Sequence, residues 1–208
     1  MEPFKEIIIA FVTLVGVLIP AILVHRREMK KMKKEKETYF QATRVLDSML
    51  NLRIMYLIRK SAERMFSSTN ADRFLILIAF NGKTDFRFVS AIHEEHEDPR
   101  NYRAVERYNH IRTDPEYKEM LKSVESNDYL EIDVDKMKDG VLKDFYEFEG
   151  VKYSHVRFLL RQSINEENDL VIFSSVASHG KPFTDRCRTI FKLTYDGIIL
   201  PEIQKYLD

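Results

Sequence analysis

The chain has 208 residues, 44% of them hydrophobic and 32% charged, with 33 basic and 33 acidic side chains. This suits one globular domain with a real core plus a short accessory segment, and the balanced charge speaks against a nucleic-acid binder. One cysteine, Cys187, permits no intrachain disulfide, in keeping with a reducing compartment.

The zero net charge hides an asymmetry. Residues 1–36 carry eight Lys or Arg against four Asp or Glu, and the remainder carries twenty-five against twenty-nine. Within the first segment, Ile7 to Val24 is a run of eighteen residues whose only strongly polar side chain is Thr13. A helix of that length approaches the roughly 30 Å of a bilayer core, so residues 1–25 read as a transmembrane anchor. Gly16 and Pro20 are compatible with it, because membrane helices tolerate such residues where neighbours satisfy the freed backbone groups. The basic cluster Arg26, Arg27, Lys30, Lys31, Lys33 and Lys34 follows, against only Lys5 in the N-terminal flank. The positive-inside rule then places the C-terminal bulk in the cytoplasm, at the inner or plasma membrane, with the cluster facing anionic lipid head groups. A cleaved signal peptide fits less well, since its charge would precede the apolar stretch.

Residues 26–66 form the basic juxtamembrane segment and a helical stalk. From Glu37 to Phe66 there is no Pro or Gly, and apolar residues recur at helical intervals in two stripes. Ala42, Val45, Met49, Leu52 and Tyr56 make one; Leu46, Leu50, Ile54, Leu57 and Ile58 make the other. Two stripes need two surfaces. One is expected to cover the following domain, and the Val45, Met49, Leu52, Tyr56 stripe to meet a second copy in a parallel homodimer, although Arg53 and Arg59 interrupt a strict heptad. The alternative is one helix with both stripes buried in its own domain.

Residues 67–208 read as the cytoplasmic domain. "RFLILIAF" is a buried strand ended by Asn81-Gly82, which predicts a tight hairpin to "FRFVSAIH". A polar middle contains a predicted helix from Asp114 or Pro115 to Ser123. "YLEIDVDKM" alternates as a half-buried strand, and "DGVLKDFYEF" is a short helix. "VKYSHVRFLLRQ" and "DLVIFSSVAS" are two more strands, joined across "SINEEND". The class is α+β, with an antiparallel sheet that helices must cover. A last helix is expected to bury Ile190, Phe191, Thr194 and Ile198.

"DLVIFSSVASHGKPFTDRCRTIFKLTYDGI" resembles the end of a GAF domain, where a buried strand passes through a Gly-containing turn into Pro-Phe-Thr, an acidic residue and a final helix. "EGVKYSHVRFLL" resembles the strand before it, although Phe158-Leu159-Leu160 stands where that family often has Pro-Leu, which keeps a PAS-like sheet as the alternative. The resemblance implies a sensory module with a ligand cavity between sheet and insertion, at residues 94–150. It implies neither a cyclic-nucleotide signature, which has no match here, nor bilin attachment, since Cys187 opens the last helix. No cofactor is specified.

Candidate chemistry is sparse. In "HGKPFTD", Gly180 and Pro182 shape a turn and Thr184 or Asp185 caps the next helix, so the stretch is punctuation and His179 and Lys181 have no evident catalytic partner. "HEEHED" has two His three apart, the wrong spacing for a zincin, and reads as a solvated acidic loop with no metal. No Walker loop, dinucleotide fingerprint, nucleophile elbow or kinase set occurs. Polar residues that could face a cavity are Tyr102, Tyr108, His110 and Arg112, while Arg157 and Arg161 share a strand face with His155 and could meet an anion. The expected function is non-enzymatic: a membrane-anchored, dimeric module that binds a small ligand or a protein partner in signalling. The alternatives are a ligand-free structural adaptor at the inner membrane and, least favoured, an enzyme using the 94–112 cluster.

Overall fold

The structure, a computed structural model, describes residues 26–30, 32–33, 52–98 and 104–205. It divides into two compact units, Met1–Phe40 and Gln41–Asp208. In the first, residues 26–30 and 32–33 are helical and exposed, so Arg26, Arg27, Lys30 and Lys33 are solvated, whereas Lys31 and Lys34 lie outside the described residues. The apolar run Ile7 to Val24 and the stripe residues Val45 and Met49 also lie outside them. Among the described residues no helix is long and apolar enough to cross a membrane.

The second unit opens with α1, Leu52–Ser68. Ile54, Ile58, Ala62 and Met65 are each 2% exposed or less, the i, i+4, i+8, i+11 spacing of one helix face. This is the continuation of the second stripe, and it covers the domain. Tyr56, on the other stripe, is 60% exposed, and its neighbour Leu52 is helical.

Six strands then build one antiparallel sheet: β1 (Arg73–Phe80), β2 (Phe88–His96), β3 (Ile111–Arg112), β4 (Tyr129–Asp133), β5 (Tyr153–Asn165) and β6 (Asn168–Ser178). Their order is β3-β2-β1-β6-β5-β4. β1 and β6 are central and covered on both faces, which is why both read as almost unbroken apolar runs. One face, with Leu75, Leu77, Val156, Val171 and Phe173, packs on α3 (Pro115–Asn127) and α4 (Val141–Glu149) through Tyr117, Met120, Leu142 and Tyr146. The opposite face meets α5 (Asp185–Thr194), where Phe191 lies 5.1 Å from the His155 ring. The remaining helices are α2 (Ala104–Arg107) and α6 (Leu200–Gln204).

Four local expectations change. Asn81-Gly82 does not close a two-residue hairpin: Phe80 pairs with Phe88 across a longer loop. Asn81 is left-handed at φ 64°, and a Cβ on Gly82 would stand 2.5 Å from the Asp85 carbonyl oxygen, so these residues start the loop rather than span it. β2 runs on through His96, so "HEEHED" is strand and not a solvated loop. β4 stops at Asp133, and Val134–Lys136 turns as a 3-10 segment that keeps Val134 buried. Finally, Tyr195–Ile199 is π-helical. The wider turn rotates the helix, so Tyr195 and Ile199 are buried where Ile198 was expected.

Asp114 ties the insertion together. One carboxylate oxygen accepts the N–H of Tyr117 at 2.8 Å and the other that of Val141 at 2.7 Å, so a single side chain caps α3 and α4. Gly140 is needed beside it, because a Cβ there would lie 2.6 Å from the Asp114 carboxylate. Each cap contributes about 1 kcal/mol. Asp114→Ala is therefore expected to lower unfolding free energy by about 2 kcal/mol, read from the urea midpoint at constant slope, whereas a loss below 0.5 kcal/mol, about the surface-substitution range, would show that neither cap matters.

Candidate functional site

The sheet face under the insertion carries the first cluster of polar groups. Arg73, at the start of β1, is 1% exposed and ion-paired with Glu149 at the end of α4. Tyr108 donates its hydroxyl to the same Glu149 oxygen at 2.9 Å, and the Arg73 guanidinium lies 6.0 Å from the Tyr108 ring and 5.7 Å from that of Tyr146. Burial pushes the Tyr108 hydroxyl up to about 12, and burial likewise raises Tyr117, so both stay protonated. Tyr146 donates to Ser154, which bonds Ser175 at 2.9 Å. The space left between these side chains is about 10 Å³, room for about one water. Tyr108, Tyr117 and Tyr146 thus fill the inner part of the space between sheet and insertion.

Among the described residues, two larger cavities lie at the rim of the sheet, the first of them within the 94–150 span that the resemblance implies. One, of about 390 Å³, is bounded by α3, β4 and α4 and lined by Tyr117, Met120, Leu130, Met137 and Leu142 with Glu116, Lys138 and Lys143. The other, of about 430 Å³, lies on the opposite face between β4, β5 and α5 and is lined by Tyr129, His155, Arg157, Arg188, Lys192 and Asp196 among others.

The six predicted site residues do not converge. Tyr102 lies outside the described residues. Tyr108 is in the filled interior. His110, exposed and left-handed at φ 57°, packs its ring 4.2 Å from Phe88 and 5.4 Å from Phe80, and Arg112 is exposed on β3.

Arg157 and Arg161 are not on one face. The register slips between Phe158 and Leu160, so Arg157 stands opposite Ser174 and Arg161 opposite Val171. A bulge inserts one residue and reverses every side chain after it, which alternation counted along the sequence cannot detect. Arg161 consequently reaches Asp169 at 2.9 Å, Glu125, and the Lys83 carbonyl at 2.6 Å, binding strand, helix and hairpin loop together. Arg157 stays beside His155 and pairs with Asp196 at 2.9 Å.

The histidine-rich stretch divides similarly. His93 sits 3.2 Å from Glu95 and His96 3.4 Å from Glu94, one pair on each face of β2. Among the described residues no cluster of three or more His, Cys, Asp or Glu could hold a metal. "HGKPFTD" is a turn: Thr184 accepts the Cys187 N–H at 3.3 Å, while Asp72 accepts the His179 N–H at 3.0 Å and meets the ring Nδ1 at 2.7 Å. Asp72 is thus a partner for His179 that lies 107 residues away and was invisible in sequence. Arg73 was also missed, although an arginine fused to a continuous apolar run was a readable signal of a buried charge.

No protein-family model matches the chain, and no curated protein matches it. Solved structures do. The GAF domain of a two-component sensor histidine kinase from Bacillus halodurans superposes with a TM-score of 0.50 at 12% identity, covering 75% of this chain and 95% of that one. The GAF3 domain of a Synechocystis protein, in a photoproduct state, gives 0.50 at 14% identity over 74% and 96%. At such identities the likeness concerns the backbone, and the chain has a GAF-like fold: an antiparallel six-stranded sheet flanked by helices.

Proposed function

We propose that this chain is a membrane-anchored GAF-like regulatory module of the cytoplasm, dimeric through the helix that leads into α1, which acts by binding a small ligand or protein partner and not by catalysis. The observation that carries this reading is the division of α1. Ile54, Ile58, Ala62 and Met65 fasten one face to the domain while Tyr56 points to solvent. Tyr56 falls on the same sequence stripe as Val45, Met49 and Leu52, and an exposed aromatic on that stripe suits burial against a second copy. The basic cluster after that run supports attachment to an anionic inner leaflet.

The full-length chain is expected to stay in membranes through a high-salt wash, with a reporter after Asp208 on the cytoplasmic side. Tyr56→Cys should then give a covalent dimer on mild oxidation in membranes, because the native Cys187 is buried. Adding Met49→Glu and Leu52→Lys should abolish that product, since burying each unpaired charge costs at least roughly 2–3 kcal/mol. Extraction by salt, or a cross-link that survives the two charges, would overturn the anchor or the interface respectively.

The structural-adaptor reading has one observation in its favour, the filled interior beside Tyr108 and Tyr117. Native mass measurement of the purified chain separates the two. A retained small molecule supports the ligand-binding module, and a stoichiometric protein partner without one supports the adaptor.

A further inference from the structure

The cavity on the α5 side of the sheet is lined by two residues that each have a buried polar atom without a partner. His155 is 5% exposed, and its Nδ1 is buried without a hydrogen-bond partner. The nearest carboxylate, on Glu131, is 3.8 Å away and is held by Arg188. Arg157, whose side chain is 15% exposed, has one Nη bonded to Asp196 and its Nε buried without a partner. Leaving a buried donor unpaired costs roughly 1–3 kcal/mol, so two such groups lining one cavity need an explanation beyond packing.

We propose that this cavity is a binding site for a small organic anion that carries a flat ring, with the acidic group on Arg157 and Lys192 and the ring against Tyr129. The unpaired Nε–H, beside the Nη that already holds Asp196, leaves a charged donor for one oxygen of a carboxylate or phosphate. Lys192 is exposed on α5 and lines the same cavity. The lining carboxylates are Asp128 and Asp196, and Asp196 is already occupied by Arg157. One face of the Tyr129 ring stacks on His155 at 5.2 Å and 19°, while the residue remains 47% exposed, so its ring is available to a second flat partner. The volume of about 430 Å³ is in the range of pockets that enclose mononucleotide-sized molecules.

The wall of the cavity is itself unusual. Tyr195 and Asp196 begin the π-helical turn, a geometry that recurs at functional sites. That turn is what places Asp196 against Arg157 while Tyr195 accepts a hydrogen bond from Ser174 at 2.7 Å under the sheet. Since α1 packs on α5 and on the π-helical turn, occupancy would be felt by the helix that leads toward the N-terminal segment. The site lies on the face opposite the filled interior and does not depend on the regulatory role or on dimerisation.

The test is calorimetric titration of the full chain in detergent with four probes: adenosine 5′-monophosphate, benzoate, ribose 5-phosphate and adenosine. The monophosphate or benzoate should bind, and ribose 5-phosphate and adenosine, which lack a flat aromatic ring and the anionic charge respectively, should bind at least tenfold more weakly. Comparing the monophosphate with benzoate distinguishes a phosphate from a carboxylate ligand. Arg157→Met should abolish binding. Lys192→Glu, an exposed change that leaves the fold intact, should weaken it at least tenfold, while Lys138→Glu, in the other cavity, should leave it unchanged. The proposal is overturned if neither ringed anion binds at millimolar concentration, if adenosine binds as well as its monophosphate, or if Lys192→Glu has no effect.

Discussion

Glu149→Ala is expected to lower the stability of the domain by about 3–5 kcal/mol, the size of effect seen when one partner of a buried ion pair is removed. The loss is large because Arg73 cannot escape: its side chain is 1% exposed, and Nε and one Nη already lack hydrogen-bond partners. The Tyr108 hydroxyl loses its acceptor at the same time. What remains is a cation over the Tyr108 and Tyr146 rings, which offsets only part of the missing charge. Arg73→Met combined with Glu149→Leu should recover most of the loss, since a buried pair is often replaced by apolar side chains without penalty. Urea unfolding of the three variants measures both effects. A double variant no better than Glu149→Ala would mean that the pair contributes more than mutual neutralisation.

Stability should also fall steeply as the pH drops from about 6.5 toward 4. Burial depresses His155 from its ordinary 6.5 to about 4, with Arg157 adding to the depression against the opposing pull of Glu131. Between those values the unfolded chain binds a proton that the folded chain refuses, so acid favours unfolding. The contribution is complete above pH 6.5 and is lost as the pH falls through this window; integrated, it is on the order of 3 kcal/mol. Burial also lowers His93 and His96, which act in the same direction. Protonation of carboxylates held low by partners, such as Glu131 under Arg188, belongs mainly to a more acidic window. Urea midpoints at pH 7.5, 6.5, 5.5 and 4.5 should therefore decline, and His155→Gln should flatten the decline without removing it. A midpoint constant over this range would contradict the buried, neutral state of His155.

The local elements were written plainly enough to be read. Apolar runs and alternation marked the strands, Asp114-Pro115 marked the start of α3, and Thr184-Asp185 marked that of α5, because caps and periodicity depend on residues a few positions apart. The α+β class followed from element order, and the GAF resemblance rested on the last two strands and the turn into α5. The readings that failed needed information from distant parts of the chain. Alternation along "RFLLRQ" puts Arg161 on the face of Arg157, because nothing in that stretch announces a bulge, which arises from how β5 registers on β6. A 3.6-residue pattern puts Ile198 on the side of Phe191 and Thr194, because a π-helical turn leaves no mark in it.

The candidate site divides in the same way. Sequence alone determined the apolar N-terminal run, the basic cluster behind it, the two apolar stripes at helical spacing and the antiparallel sheet, since each is a statement about neighbouring residues and the medium they prefer. Only the tertiary structure decided that Tyr108 packs into the interior it was expected to line, that Arg73 and Glu149 meet across 76 positions, and that His155 and Arg157 share a cavity with Lys192 of α5. A cavity is the volume that packing leaves over, and an unpaired buried donor is one whose possible partners have gone elsewhere. Both are properties of the whole fold and of no segment within it.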